Sequence, residues 1–335
     1  MTMGHGYAQL ADAPAAWLQV GLSSDFRRGR GVRRVTRWGE ELVAYRSASG
    51  RLVVHNSVCP HLGAHLGGGT VRGECLECPF HGWQYHPDGA VQYVPGARRV
   101  PSRARLDSYP TFEVGGIAFM YPKPAGPGVE VPPFASKVVE ELEGAGSRVS
   151  LTRKHLRANL DEMGENAADF AHLFIVHAPI IVGSGPFEVG VGDDNSFAAD
   201  GFVRVRLGGD VGMTIRLFDP CTSMVTVTTP YFVTNLLAFG GQVGPKRTEL
   251  VLVTRTPKLL PGFGHLAHLV TRRNFLANFD QDQPIWAEKR WIDRPILSDA
   301  DGPIASYRRW LSSFDPHPDA PPTGAWSASR REECR

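Results

Sequence analysis

The sequence of 335 residues is poor in cysteine and has no long apolar run. Its five cysteines are odd in number and widely spread, unlike the disulfide framework of a small secreted protein. No stretch approaches the roughly 18 consecutive apolar residues that cross a bilayer. The first residues contain no basic segment followed by an apolar one, so no signal peptide is expected. These absences predict a soluble cytoplasmic protein without a membrane span.

The chain also lacks a large excess of positive or negative charge. The chain has 36 Lys and Arg against 34 Asp and Glu, a formal net charge of +2, and no long block of like charge. This balance excludes a surface built for polyanions, so no nucleic-acid partner is expected. Hydrophobic residues make up 42% of the chain, enough for a sizeable core. The length favours about two domains.

The first part of the chain, up to about Tyr121, has the pattern of short strands separated by turns. Gly115-Gly116 lies between the β-rich runs 111–114 and 117–121, which predicts a tight hairpin. Prolines and glycines then cluster from Pro122 onward. We therefore predict an all-β domain over 14–122 and a Pro/Gly-rich linker over 123–150.

The second part mixes helix and strand patterns, which predicts an α+β domain over 151–316. β-branched or alternating runs predict strands of an antiparallel sheet at 202–207, 213–218, 224–233 and 248–255. Helical patterns are found at 156–176, 265–280 and 304–314. The tail 317–335 carries prolines, serines and mixed charge, which predicts disorder.

Two cysteine–histidine pairs, Cys59-Pro-His61 and Cys78-Pro-Phe-His81, each lie where a β-rich run gives way to a turn. Two thiolates and two imidazoles are the ligand set of a Rieske [2Fe–2S] cluster, where the thiolates bind one iron and the imidazoles the other. A structural zinc site uses the same ligand types. Zinc sites usually pair like with like, whereas each pair here contains one of each, so the cluster is the favoured interpretation.

A second group of potential ligands lies in 162–177. Asp169 and His172 are three residues apart and share a helical face. His177 follows five residues later, about 140° further round an ideal helix. The two imidazoles can therefore converge only if the helix ends or distorts between them, and Pro179 favours such an end.

The acidic residues of this segment have two interpretations. Glu162 and Glu165 fall on the same stripe as Asp169, which would suit a solvated face of an amphipathic helix. The rest of the segment is mostly apolar, however, and burying carboxylates without partners is costly. Acidic groups beside two histidines in such a setting indicate a metal site.

Two histidines and one carboxylate are the ligand set of non-heme Fe(II) oxygenases, and a later segment offers two further carboxylates, Asp280 and Asp282. One helical face is predicted from residues spaced four, three and four apart: Phe275, Phe279, Asp282 and Trp286. Asp280 points away from that face, so Asp282 is the better candidate. Pro284 is expected to disturb the helix at this point.

These motifs resemble those of a known family. Cys59-Pro-His61 and Cys78-Pro-Phe-His81, with the Gly and Trp that follow the second pair, resemble the Rieske motif of bacterial ring-hydroxylating oxygenases. The spacing from Asp169 through His172 to His177 is similar to that of the mononuclear iron site of Rieske oxygenases. The segments 97–101 and 282–310 most resemble the oxygenase component of 3-ketosteroid 9α-hydroxylase and the cholesterol 7-desaturases.

The resemblance implies a Rieske domain followed by an α+β catalytic domain of the helix-grip, START-like type. It implies that the [2Fe–2S] cluster is bound by Cys59, His61, Cys78 and His81. It likewise implies that a mononuclear Fe(2+) is bound by His172, His177 and Asp282. Asp169 would then bridge His172 to a cluster histidine of the neighbouring subunit in a homotrimer.

The implied activity is that of a terminal oxygenase. With O₂ and electrons from NAD(P)H, delivered by a partner reductase or ferredoxin, it would oxidise an apolar small molecule, steroid-like or a secondary-metabolite intermediate. No dinucleotide-binding Gly-x-Gly-x-x-Gly follows a strand, so the reductase is expected to be a separate protein. The alternative is a non-catalytic Rieske electron-transfer protein. Such a carrier needs only about 120 residues and leaves the second ligand group unexplained.

Overall fold

The computed structural model describes residues 10–123, 129–132, 134–143, 147–178, 181–206, 209–257, 263–298 and 301–315. The chain divides into two compact units, the first of which ends at Pro132. The predicted tail 317–335 lies outside the described residues. Among the helices that are described, none combines the length and apolar character needed to cross a membrane.

The described part of the first unit consists of short strands in three antiparallel sheets. The strands are β1 (Leu18–Leu22), β2 (Arg33–Arg37), β3 (Glu40–Arg46), β4 (Leu52–Asn56), β5 (Thr70–Arg72), β6 (Cys75–Glu77), β7 (Gln84–Tyr85), β8 (Val91–Tyr93), β9 (Ser108–Tyr109), β10 (Thr111–Val114) and β11 (Ile117–Met120). The strand orders are β1-β11-β10, β2-β3-β4-β9 and β5-β6-β7-β8. The loop with the first cysteine–histidine pair lies between β4 and β5, and the loop with the second pair joins β6 to β7.

The predicted hairpin at Gly115-Gly116 joins β10 to β11, with Val114 paired to Ile117. Both glycines have positive φ, 59° and 77°. A two-residue turn with positive φ at both positions matches the twist of the flanking strands, and glycine adopts it without steric strain.

The second unit is built around one antiparallel sheet. Its elements are α1 (Phe134–Glu143), β12 (Ser147–Leu156), α2 (Leu160–Glu165), α3 (Ala171–Ile175), β13 (Ile181–Ser184), β14 (Glu188–Val191), β15 (Phe197–Val205), β16 (Gly209–Asp219), β17 (Thr222–Thr228), β18 (Val233–Gly244), β19 (Arg247–Pro257), α4 (Phe263–Glu288) and α5 (Ile304–Ser312). The strand order is β12-β19-β18-β17-β16-β15-β13, and β14 also pairs with β15. This arrangement after an all-β unit confirms the predicted α+β class.

The segment 123–150, predicted as a linker, contains helix α1 and the first residues of β12. α1 buries Phe134 and Val138. The buried carboxylate of Glu141 accepts hydrogen bonds from Asn235 at 2.6 Å and Arg255 at 3.2 Å. These contacts attach α1 to β18 and β19. These contacts join residues far apart in the sequence, so no local pattern reveals them. The prolines and glycines around α1 are a local signal, and they favoured a linker.

Two helical predictions also need correction. The segment 156–176 forms the end of β12 and two short helices, α2 and α3, rather than one helix. Conversely, α4 continues through Pro284 to Glu288. Proline removes only the backbone bond to the carbonyl of Asp280. Both residues lie on the exposed side of α4, where water can satisfy that carbonyl.

Candidate metal centres

The two cysteine–histidine pairs lie on loops with the same backbone hydrogen bonds. In each loop the cysteine N–H donates to the carbonyl five residues later, and the glycine four residues after the cysteine donates back to it, at 2.8–3.1 Å. These glycines, Gly63 and Gly82, have φ of 76° and 68°, a left-handed conformation that favours glycine. The two loops are thus similar tight turns, each presenting one cysteine and one histidine.

The two thiols and the two imidazoles of these residues differ in burial. Cys59 and Cys78 are buried in the same hydrophobic cluster. The rings of His61 and His81 lie 4.8 Å apart, and His81 is exposed. Thiols on the inside and imidazoles on the outside match the donor set of a Rieske cluster, where each iron takes one kind of ligand.

Two aromatic residues complete this site. The ring of Trp83 stacks on His61 at 4.3 Å with 12° between the planes. The hydroxyl of buried Tyr85 lies 3.1 Å from Sγ of Cys59. Burial and the neighbouring Cys59 thiol raise the pKa of Tyr85. The phenol therefore stays protonated and can donate to a cysteine thiolate. Sequence reasoning missed Tyr85, which has no signal beyond its closeness to the second motif.

The second ligand group comes from two separate segments of the second unit. His172 lies on α3, His177 lies two residues beyond its end, and Asp282 lies on α4. The potential ligand atoms of these three residues are all within 4.8 Å of one another. Nε2 of His177 lies 3.5 Å from Oδ1 of Asp282. Two imidazoles and one carboxylate at this spacing fit a single metal ion.

The end of α3 lets the two imidazoles converge. The helix stops at Ile175, and the N–H of Val176 still donates to the carbonyl of His172 at 2.7 Å. Val176 is the C-cap of α3, so His177 lies beyond the end of the helix. The centre of its ring lies 5.4 Å from that of His172. Pro179, from which this end was predicted, lies outside the described residues.

Each histidine is oriented through Nδ1. Nδ1 of His172 is hydrogen-bonded to the carbonyl oxygen of Asp169, and the backbone N–H of His172 donates to that residue's Oδ1 at 3.3 Å. Nδ1 of His177 is hydrogen-bonded to Oε1 of Gln281 at 2.7 Å. Because these oxygens accept, Nδ1 carries the proton and Nε2 is free to bind a metal. Gln281, next to Asp282, was not identified from the sequence.

Burial governs the ionisation of these groups. It lowers the pKa of His172, although Asp169 partly offsets the shift. It raises the pKa of Asp282 to about 6, against the opposing effects of His177 and Asn166. Both shifts disfavour the charged forms because the buried site lacks sufficient countercharge. A divalent cation among these side chains would supply positive charge for the carboxylate.

The other acidic residues of the segment do not join this group. Glu162 pairs with Lys246, and Glu165 accepts hydrogen bonds from Lys289 at 2.9 Å and Arg308 at 2.7 Å. Their burial is therefore compensated by cations of the chain. The predicted metal site therefore does not involve these two glutamates, and of Glu162, Glu165 and Asp169 it is Asp169 that lies beside the histidines.

The two aspartates of α4 point in opposite directions. Asp282 is buried at 7% exposure and lies beside His177. Asp280 has a side chain 63% exposed and pairs with Lys154 at 2.5 Å. The structure therefore brings Asp282 to the histidines and keeps Asp280 at the surface.

A cavity of about 440 Å³ lies between the sheet and α4. His172, His177 and Asp282 form part of its wall. Most of the remaining lining is aliphatic or aromatic, including Val211, Leu217 and Phe275. The candidate metal group thus faces a space suited to an apolar small molecule.

Both parts of the chain are similar to known proteins. Residues 16–110 match the Rieske [2Fe-2S] domain, and residues 255–314 match the 3-Ketosteroid 9alpha-hydroxylase C-terminal domain. A probable 3-ketosteroid-9-alpha-monooxygenase, oxygenase component, of Rhodococcus rhodochrous is 29% identical over 329 residues, covering 89% of this chain and 79% of the relative. The chain is a Rieske-type non-heme iron oxygenase. Its cofactors are therefore a Rieske [2Fe–2S] cluster and a mononuclear iron, as predicted.

Other relatives of this Rieske oxygenase differ in the reaction that their names describe. Cholesterol 7-desaturase nvd of Xenopus laevis is 28% identical over 348 residues, covering 90% of this chain and 71% of the relative. Dicamba monooxygenase bound to dicamba has a TM-score of 0.70 at 18% identity, covering 90% and 97% of the two chains. Pseudomonas putida CBB5 NdmA with caffeine has a TM-score of 0.70 at 20% identity, covering 88% and 89%. At such identities the two structures show a shared fold alone.

Proposed function

We propose that this oxygenase uses O₂ and electrons from NAD(P)H, delivered by a partner reductase or ferredoxin, to oxidise an apolar small molecule. The observation that carries the proposal is the apolar cavity whose wall includes His172, His177 and Asp282. The names of the sequence relatives support a steroid-like substrate, and a secondary-metabolite intermediate is the second candidate. The electron supply from NAD(P)H favours the cytoplasm as its location.

In this proposal the mononuclear iron is bound by His172, His177 and Asp282. When bound, it supplies O₂ activation at coordination positions that the three ligands leave open. The chain's own groups hold the site: α3 and α4 position the ligands, Nδ1 of each histidine is fixed by an acceptor, and the walls of the cavity are mostly aliphatic. An apolar substrate bound against these walls would displace water and so protect the oxidation from side reactions.

The cluster is proposed to be bound by Cys59, His61, Cys78 and His81. Their common loop geometry and the separation of thiols from imidazoles support this assignment. The imidazoles face outward, with His81 exposed, so electrons can enter and leave through them. We assign the Rieske domain to 14–122 and the catalytic domain to 151–316, extended at its start to include α1.

Asp169 is proposed to connect the two centres between subunits of a head-to-tail homotrimer. Its side chain is 33% exposed, and its Oδ2 lies 3.9 Å from Nδ1 of His172. A carboxylate that contacts His172 and remains accessible can accept a hydrogen bond from a cluster histidine of a neighbouring subunit. A closed ring allows every subunit to make this contact. Sedimentation equilibrium tests the assembly, and a monomer would exclude the route.

Metal analysis of the purified holoenzyme tests the function without knowledge of the substrate. The expected content is about three irons and two acid-labile sulfides per chain. About two irons with two sulfides would instead identify an electron-transfer protein without an oxygenase site. Zinc without sulfide would reject the cluster.

A further inference from the structure

The cavity opens to solvent near the start of α4. Val270 lines the cavity and is exposed, and Phe232, in the turn between β17 and β18, lines it as well. Hydrogen bonds hold α4 beside that turn. The hydroxyl of Thr256 lies 3.2 Å from Nδ1 of His268 and 3.3 Å from the hydroxyl of Thr234, which begins β18 with Val233. The first turns of α4 and the β17–β18 turn therefore form part of the cavity mouth.

Large apolar side chains at this mouth are exposed. Tyr231, in the β17–β18 turn, is 86% exposed, and Leu266 on α4 is 60% exposed. Leu269 and Val270 are exposed as well and follow Leu266 by three and four residues, so the three share one face of the helix. We call Tyr231, Leu266, Leu269 and Val270 the apolar rim. Single exposed apolar residues are common, but a group of them at the mouth of an apolar cavity indicates a binding surface.

The charge beside the apolar rim is positive. The segments 229–234 and 263–279, which contain the rim, have no Asp or Glu but include Arg272 and Arg273. Arg273 is exposed and lies seven residues after Leu266, on the same helical face as the rim residues of α4. An apolar surface with a cation at its edge is therefore presented by one face of this helix.

Strand β12 adds a further cation next to α4. Nε of Arg272 donates to the hydroxyl of Thr152 on β12 at 3.1 Å. Arg148 precedes Thr152 by four residues on the same strand, so both side chains lie on the face toward α4. Arg148 is exposed. Within the described residues, none of these arginines has an acidic partner. Their positive charge is thus available to an anionic surface.

We infer that the apolar rim docks on an anionic lipid surface, with the cavity mouth facing the lipid. Four apolar side chains are too few for a stable protein interface, which takes about 20–30 residues a side. Apolar side chains flanked by arginines are instead the combination that binds at the interface of a membrane with anionic headgroups. An apolar substrate dissolved in the lipid can then enter the cavity without crossing water. The inference rests on the proposed function and adds to it the surface from which the substrate is taken.

Vesicle flotation of the holoenzyme tests this inference without a substrate. One set of vesicles consists of phosphatidylcholine, and the other of phosphatidylcholine and phosphatidylglycerol in equal parts. The wild type should bind the anionic vesicles at least about tenfold more tightly than the neutral ones, and added salt should weaken that binding. Leu266→Ser combined with Leu269→Ser should weaken it about tenfold or more. Arg148→Gln combined with Arg273→Gln should do the same.

A gain of binding separates docking from a folding defect. Leu266→Trp should strengthen vesicle binding, because tryptophan prefers the membrane interface. Two variants are matched controls and should float like the wild type. Ile296→Ser removes a fully exposed apolar side chain outside the rim, and Arg103→Gln removes an exposed arginine of the Rieske domain.

Three results would overturn the inference: the wild type floats with neither kind of vesicle, the rim variants float unchanged, or the controls lose as much binding as they do. An oligomer that dissociates in the rim variants, without vesicle binding by the wild type, would assign the rim to a second copy of the chain instead. Iron and sulfide are measured on the same preparations. Three irons without flotation would reject the docking alone, whereas two irons would reject the oxygenase itself.

Discussion

The imidazole of His177 is hydrogen-bonded through Nδ1 to Oε1 of Gln281 at 2.7 Å. Gln281 is the immediate neighbour of Asp282, whose Oδ1 lies 3.5 Å from Nε2 of the same imidazole. Consecutive residues of α4 therefore supply a carboxylate and fix the histidine that faces it. The orientation of one proposed iron ligand depends on the helix that carries another.

Gln281→Leu should weaken iron binding at the mononuclear site about 10–100-fold. The leucine cannot accept from Nδ1, so His177 loses both its orientation and its tautomer preference. Titration of iron-depleted protein with Fe(II) measures the change, while the visible spectrum of the cluster should stay normal. Gln283→Leu changes a nearby amide outside the cavity and is the matched control. Equal Fe(II) affinity in the Gln281 variant and wild type would show that the hydrogen bond has no such role.

Tyr85→Phe should lower the reduction potential of the cluster. The phenol hydroxyl lies 3.1 Å from Sγ of Cys59, and a hydrogen bond to a ligand sulfur favours the more negative reduced state. A redox titration followed by circular dichroism gives the potential. Tyr93→Phe removes a hydroxyl from a ring that is 51% exposed and serves as the control. A potential that is unchanged in Tyr85→Phe would contradict donation to the thiolate.

Glu165→Gln should destabilise the second unit by about 3 kcal/mol, the lower end of the range for a broken buried ion pair. Its carboxylate binds both Lys289 and Arg308, and its side chain is 7% exposed. Urea unfolding monitored by tryptophan fluorescence measures the change. Glu288→Gln, with a side chain 81% exposed and a 3.6 Å contact to Arg157, should leave the midpoint unchanged. Similar midpoints for both variants would argue against a structural role for Glu165.

The contribution of Glu165 should also depend on pH. Burial alone would raise the pKa of Glu165, but hydrogen bonds from Arg308 and Lys289 hold it below its ordinary value of 4.5. A folded pKa below the unfolded one means that the stabilisation is complete above pH 4.5 and disappears as pH falls through the folded pKa. The difference between wild type and Glu165→Gln should therefore shrink in acid. A difference that grows there would reverse the inferred shift.

Local spacing was sufficient to find most candidate ligands from the sequence. The two cysteine–histidine pairs each form one turn, so their ligands are neighbours along the chain. The face that carries Asp282 follows from the period of a single helix, and the exposed pair of Asp280 with Lys154 agrees with it. The convergence of His172 and His177 required only that α3 end between them.

Long-range contacts were beyond such reasoning. Gln281 meets His177 across 104 residues, and Lys246 meets Glu162 across 84. No local pattern distinguishes these partners from other polar residues. Two buried glutamates were therefore interpreted as signs of a metal, although cations of the chain neutralise them. Helix α1 was missed for the same reason, because its packing partners lie on β18 and β19.

Nitric oxide binding tests the proposed mononuclear iron site most directly. It requires an Fe(II) ion with an open coordination position, and the experiment can be done before the substrate is identified. Dithionite-reduced holoenzyme exposed to nitric oxide should give the EPR signal typical of a high-spin ferrous nitrosyl complex. Asp282→Ala should lose that signal and keep the Rieske spectrum, whereas Asp280→Ala should keep both. A full nitrosyl signal in Asp282→Ala, or its loss in Asp280→Ala alone, would contradict an iron site formed by His172, His177 and Asp282.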